Sequence, residues 1–407
     1  MNKQDLLKSK SFCILPFAQA CVWQDGYVQA CCLNDHRLGY TYEQTTKEIF
    51  SPNNEKLKDF RKEFFSDKLP DSCFKCRDYE NLDSSSYRID SNRMYGHLLD
   101  EMDISSEESL INNEKVFLWD IRLSNLCNLK CLICRGSDSS RLAEEENKYP
   151  ALYKAFNNPE EFIDFFEEQI DNLREIYFVG GEPLLLVEHY KLLDLLIKHK
   201  KFNIRLRYNT NGTTIVLGNR KITDYWKHFT NIDASFSIDA GWEQLEYIRN
   251  GAVWTEVLEN LKTLKKETPH AKVVLGIVIT ILNIFHIRKL YEFLVNEKLI
   301  QPVHFHLMNV YNKDYYRPTT LPPKLKEKAM QEYQDWKADV ENKELDYLEK
   351  SQLLHYINFV INLLNSADTS HHLAEFKQKT LYYDKIRGTD FFKTFPELKE
   401  IFEDESN

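Results

Sequence analysis

What this chain lacks narrows its function first. It has no apolar run of the roughly 18 to 20 residues that cross a bilayer; the longest, VVLGIVITILNIF at 273–285, falls short and reads as a buried strand entering a helix. The N-terminal MNKQDLLKSKSF has neither the apolar stretch nor the small-residue cleavage site of a secretory signal, so a cytoplasmic location is expected. Positive charge is not in excess: 53 Lys and Arg stand against 63 Asp and Glu, a formal charge of −10, which argues against general binding to nucleic acid or to an acidic membrane. Repeats and low-complexity tracts are absent. Cysteine is absent from everything after Cys134, so all nine lie in the first third of the chain. In a reducing compartment such clustering points to metal binding or reactivity rather than to disulfides.

Composition is otherwise that of a soluble globular protein long enough for two or three domains, with 43% apolar and 29% charged residues. Three regions differ in pattern. Residues 1–96 are cysteine-bearing and include a hairpin-like ACVWQDGYVQACC that turns at Asp25-Gly26. An acidic connector follows at 97–115, read as a solvated linker or a surface helix with loop ends. From Val116 to about residue 320, strands alternate with amphipathic helices, the mark of a parallel sheet with crossovers. Six strands are predicted, at 116–123, 175–180, 204–210, 232–238, 272–280 and 303–308. The predicted fold is therefore α/β, an open (β/α)6 TIM-like partial barrel whose site collects on loops after the strands. It is preceded by a small cysteine-rich α+β module and followed, from 321 to 407, by a helical extension with no chemical signature.

Immediately after the first barrel strand comes SNLCNLKCLICRGS, with Cys127, Cys131 and Cys134 in the spacing C-x3-C-x2-C. Structural zinc favours four closed ligands, whereas iron–sulfur clusters are held by thiolates, and a cubane with three protein ligands keeps one iron free. A zinc loop or three free thiols is the alternative. The motif and its place resemble the radical S-adenosylmethionine (radical SAM) superfamily, in which that free iron chelates SAM through its amino and carboxylate groups. Ile133 stands where the family often has an aromatic residue, so it can pack against adenine but not stack on it.

Further elements follow in the family's order. VGGEP at 179–183 resembles the GGEP motif, which implies Gly180, Gly181, Glu182 and Pro183 as the turn that accepts the SAM amino group. NTNGT with Asn209 and Asn211, and SID with Ser237 and Asp239, fall where the family contacts the methionyl and ribose parts. YIRNG supplies Arg249 for the SAM carboxylate, or a surface helix end. Val278 and Met308 fall where the family packs adenine, and core packing explains them equally. His304 and His306 on the last strand face the barrel or form hydrogen-bonded core histidines, and Asp120 and Arg122 on the first strand line the lumen or pair internally.

The N-terminal region resembles the twitch or SPASM-like modules that hold an auxiliary iron–sulfur cluster, although here the module precedes the barrel it usually follows. The resemblance assigns Cys13, Cys31, Cys73 and Cys76 to one auxiliary 4Fe-4S cluster, with Cys32 replacing Cys31 if the hairpin register differs by one; structural zinc is the competing reading. What the resemblance implies is an enzyme that reductively cleaves SAM and abstracts hydrogen from a peptide or small-molecule substrate, served by an external flavodoxin- or ferredoxin-type electron donor. The alternative is an electron-transfer or zinc-stabilised scaffold protein without SAM chemistry.

Overall fold

The computed structural model describes residues 1–81, 85–147, 150–310 and 313–403, and the chain divides into two compact units. The first comprises 1–127, 136–209 and 216–232; the second comprises 128–135, 210–215 and 233–407. The predicted strands are present, parallel within each unit and separated by helices, so the chain is α/β as expected.

In the first unit, strands Arg205–Thr210, Glu175–Phe178 and Leu118–Ile121 run parallel in that order. The N-terminal module continues the same sheet. Its Gln19–Val22 strand pairs in parallel with Leu118–Ile121, and Tyr27–Gln29 and Arg37–Tyr40 follow as antiparallel neighbours. Alternation explains the two faces. Trp119, Ile121, Ile176, Phe178, Leu206 and Tyr208 are buried against crossover helices; Trp119, for example, meets Phe162 of helix Pro159–Glu168 edge-on at 5.6 Å. The opposite face carries the row Cys21, Asp120, Tyr177, Arg207 in register. Its charges are paired: Arg122 to Asp120 at 2.8 Å, and Glu175 to Arg207 at 2.9 Å and to Arg205 at 3.2 Å, with the Tyr95 hydroxyl donating to Glu175 at 2.9 Å. Internal pairing is thus realised for Asp120 and Arg122.

The acidic connector is a surface segment anchored by its few apolar residues: Leu98, Leu99 and Leu110 are fully buried, and Glu107–Ile111 forms a short helix capped by Ser106.

In the second unit, Asn231–Ser237, Lys272–Ile279 and Phe305–Asn309 are parallel neighbours crossed by helices Trp254–Glu267 and Ile287–Asn296. Residues beyond 321 form helices Pro323–Asn342, Tyr347–Leu364 and Leu373–Arg387. They are packed rather than loose. Tyr356 lies edge-on to Phe305 at 5.7 Å and its hydroxyl bonds His306 Nδ1 at 3.1 Å, while Phe395 meets Tyr247 at 5.1 Å. Among the described residues no helix is long and apolar enough to cross a membrane.

Candidate metal centres

Along the chain Cys127 belongs to the first unit and Cys131 and Cys134 to the second, and each unit shows how its own part is held. In the first unit, the segment leading to Cys127 is gripped by the GGEP turn. Gly181 N–H donates to the Ser124 carbonyl at 3.1 Å and Glu182 N–H to the Leu126 carbonyl at 2.8 Å. Only glycines allow this approach. Gly180 has φ of +112°, and a Cβ on Gly181 would stand 2.3 Å from the Leu126 oxygen. Cys127 N–H is held by Ser140 Oγ at 3.2 Å. Glu182 is fully buried, and its Oε1 accepts the Leu184 N–H at 3.1 Å, capping the short turn that follows. The Gly181→Ala variant is therefore expected to lose about 3 kcal/mol of stability, the upper end for forcing an extra methyl into a packed site. The melting temperature should fall measurably, and a wild-type melting curve would contradict this account.

In the second unit, Lys130–Cys131 pairs antiparallel with Arg249–Asn250, placing Cys131 opposite Arg249. Leu132 N–H donates to the Ile248 carbonyl at 2.9 Å, and Lys313 Nζ to the Leu132 carbonyl at 2.7 Å. The Arg249 guanidinium lies 3.7 Å from Cys131 Sγ and 2.8 Å from the fully buried Asp239. Burial pushes the Cys131 thiol up, and the adjacent Arg249 charge opposes that, favouring thiolate. Asp239 is occupied by Arg249 and by the Val278 N–H at 2.8 Å, so its contribution to the site is to fix Arg249 and the strand ends. Arg249 is buried, not a surface helix end.

Asn211 likewise works through its neighbours. It donates to Asn128 Oδ1 at 2.9 Å, and Asn128 donates to Thr213 Oγ1 at 2.8 Å, bracing the residue that follows Cys127. Ser237 and Ile133 are half-buried, Asn209 is exposed, and Val278 and Met308 are cross-strand partners, with Met308 exposed. Asn128, Ser140 and Lys313 were not singled out from the sequence. Asn128 lies within the motif and could have been; the other two are separated from it along the chain and carry no local signal.

The second group of thiols lies wholly in the first unit. Cys13, Cys31, Cys73 and Cys76 line one hollow, walled by Leu15, Phe60, Phe64 and Leu69. Cys32 is not on its lining. Its thiol lies against that of Cys31 and near Asp120 and Arg122. Arg88 ties the hollow together: it donates to Glu80 at 2.9 and 2.7 Å and to the Phe12 carbonyl at 2.9 Å, joining helix Phe74–Glu80 to the Cys13 segment. Asn92 takes the Ile14 N–H and gives to the Phe12 carbonyl, both at 2.9 Å. Burial pushes the Cys73 thiol up to about 11 and Cys13 well above its ordinary value, so without metal these are protonated thiols whose loading releases protons.

Residues 121–294 match the radical SAM superfamily model. That stretch is a radical SAM domain. Residues 13–77 match the iron–sulfur cluster-binding SPASM domain, so the auxiliary-cluster module precedes the radical SAM domain. These domains imply a 4Fe-4S cluster with SAM, and auxiliary iron–sulfur binding. The donors present fit both: three cysteines of one loop with a buried cation beside Cys131, and four cysteines around a hollow. No curated protein matches the chain. Among solved structures it is similar to native anSMEcpe with bound AdoMet and Kp18Cys peptide, at 22% identity over 56% of this chain and 61% of that one, TM-score 0.40. It is also similar to Streptococcus suis SuiB bound to S-adenosylmethionine, at 15% identity over 65% and 63%, TM-score 0.38. The chain thus spans about three-fifths of the length of these proteins.

Proposed function

We propose that this protein is an enzyme that binds SAM on a cluster held by Cys127, Cys131 and Cys134 and generates a radical that abstracts hydrogen from a peptide or small-molecule substrate. The carrying observation is the C-x3-C-x2-C loop itself, ending the first barrel strand and seated by backbone hydrogen bonds on the GGEP turn. When bound, the cluster and nucleotide supply one-electron cleavage of SAM to methionine and a 5′-deoxyadenosyl radical.

The chain's own residues do the rest. The three cysteines provide thiolates and leave the remaining coordination to the nucleotide. Gly180 to Pro183 offer backbone and carboxylate acceptors to its amino group, and Arg249 offers the cation for its carboxylate. Asp239 and Asn211 hold those groups in place. Asn209 and Ser237 serve the methionyl and ribose parts, and Ile133, Val278 and Met308 the adenine. Cys13, Cys31, Cys73 and Cys76 hold one auxiliary 4Fe-4S cluster in residues 1–96, beside the barrel of 116–320 and the helical extension. The reductant is an external flavodoxin or ferredoxin type.

Anaerobic reconstitution tests the reading. The expected product is a brown protein with about eight irons that yields methionine and 5′-deoxyadenosine on dithionite reduction. Brown protein without cleavage would make it an electron carrier, and colourless zinc protein a scaffold.

A further inference from the structure

The auxiliary hollow has a donor built toward one of its thiols. Asn34 is 4% exposed and sits in the turn that follows Cys31 and Cys32. Its side-chain oxygen accepts the His36 N–H at 2.7 Å, and its backbone N–H is tied to the Cys31 carbonyl at 3.2 Å. Those contacts fix the amide's orientation, because only the oxygen can accept that proton. The NH2 end is thereby aimed at residues 38 and 39 positions further on, donating to Ser72 Oγ at 3.0 Å and to Cys73 Sγ at 3.3 Å. His36 itself is clamped, its ring stacked on Phe60 at 4.4 Å with an interplanar angle of 6°. A second donor, the Leu33 N–H, reaches Cys31 Sγ at 3.4 Å. One short turn therefore points two N–H groups at the sulfurs of two of the four cysteines, and the one from Asn34 is a side chain whose direction is enforced at its other end.

Hydrogen bonds to cluster sulfurs withdraw charge and favour the reduced state, one of the main ways a protein sets a cluster's potential. We propose that Asn34 is a positioning residue of the auxiliary site, holding Cys73 through its N–H···S hydrogen bond and raising the reduction potential of the cluster those cysteines carry. The proposal rests on the auxiliary-cluster reading given above.

The test uses the full chain in a Cys131→Ala background, so that the auxiliary cluster is observed alone, with the potential read by redox titration followed by EPR. Asn34→Asp is nearly isosteric: one carboxylate oxygen still accepts the His36 N–H, while the other replaces the donor with a negative charge facing Cys73. It should lower the reduced-to-oxidised ratio at fixed potential at least tenfold, a shift of about 59 mV to the negative for one electron. Asn34→Leu should move it the same way by less. Unchanged potentials in variants that keep their iron would overturn the proposal, and so would loss of iron from both variants, since Asn34 would then serve only to hold the fold. Absence of about four irons from the Cys131→Ala parent itself would strike instead at the ligand assignment.

Discussion

Replacing Cys131 with alanine is expected to abolish SAM cleavage, with no 5′-deoxyadenosine above the no-enzyme control, while the protein stays folded. Cys131 contributes a thiol to the site but its backbone is held independently: the ladder to Arg249, the Leu132 N–H to Ile248, and Lys313 on the Leu132 carbonyl all survive removal of the sulfur. What is lost is one of the three proposed protein ligands. A cubane left with two loses its anchorage, and the nucleotide loses the iron it would chelate. Iron should fall by about four per chain while the melting temperature remains near that of the parent. Chromatography of the reaction mixture decides the matter, and retained cleavage would show that the metal site lies elsewhere.

Cys76→Ala is expected to produce the complementary result, losing about four irons from the auxiliary site while the barrel cluster still cleaves SAM. Cys76 lines the hollow with Cys13, Cys31 and Cys73, and Arg88 keeps its helix joined to the Cys13 segment whether or not the thiol is present. Cys32→Ala is the matched control. Its thiol is not on the lining of the hollow and lies near Asp120 and Arg122, so iron content should be unchanged. If Cys32→Ala loses the four irons and Cys31→Ala does not, the two cysteines exchange roles. Iron quantitation with EPR separates these outcomes.

Much of this was legible in the sequence because local rules govern it. Strand periodicity located all six barrel strands to within a few residues, and dense motif spacing marked the cysteine loop and the GGEP turn. The double glycine was visible as a turn, but its purpose required the fold, since the oxygen that excludes a Cβ belongs to Leu126, far back along the chain. Asp239 and Asn211 could be named as candidates, yet that each acts by holding another residue depends on partners distant in sequence. Asn34 gave no signal, because an asparagine in a turn is ordinary until folding brings Cys73 beside it. The extension after residue 321 has apolar faces that predict helices, but not that Tyr356 and Phe395 would meet a barrel strand and the helix before Arg249.

The parallel pairing of Gln19–Val22 with Leu118–Ile121 bears on how this protein can be cut. Ala20, Cys21 and Val22 are wholly shielded from water, and their strand occupies the flank of Leu118–Ile121 that would otherwise present a ready template for another chain. The margin passes instead to Arg37–Tyr40, a short strand carrying an exposed arginine, a much poorer seed for stacking. Trimming the leading segment to obtain a minimal catalytic fragment would uncover a sticky apolar border, and such a fragment should precipitate rather than behave as a smaller working version of the whole.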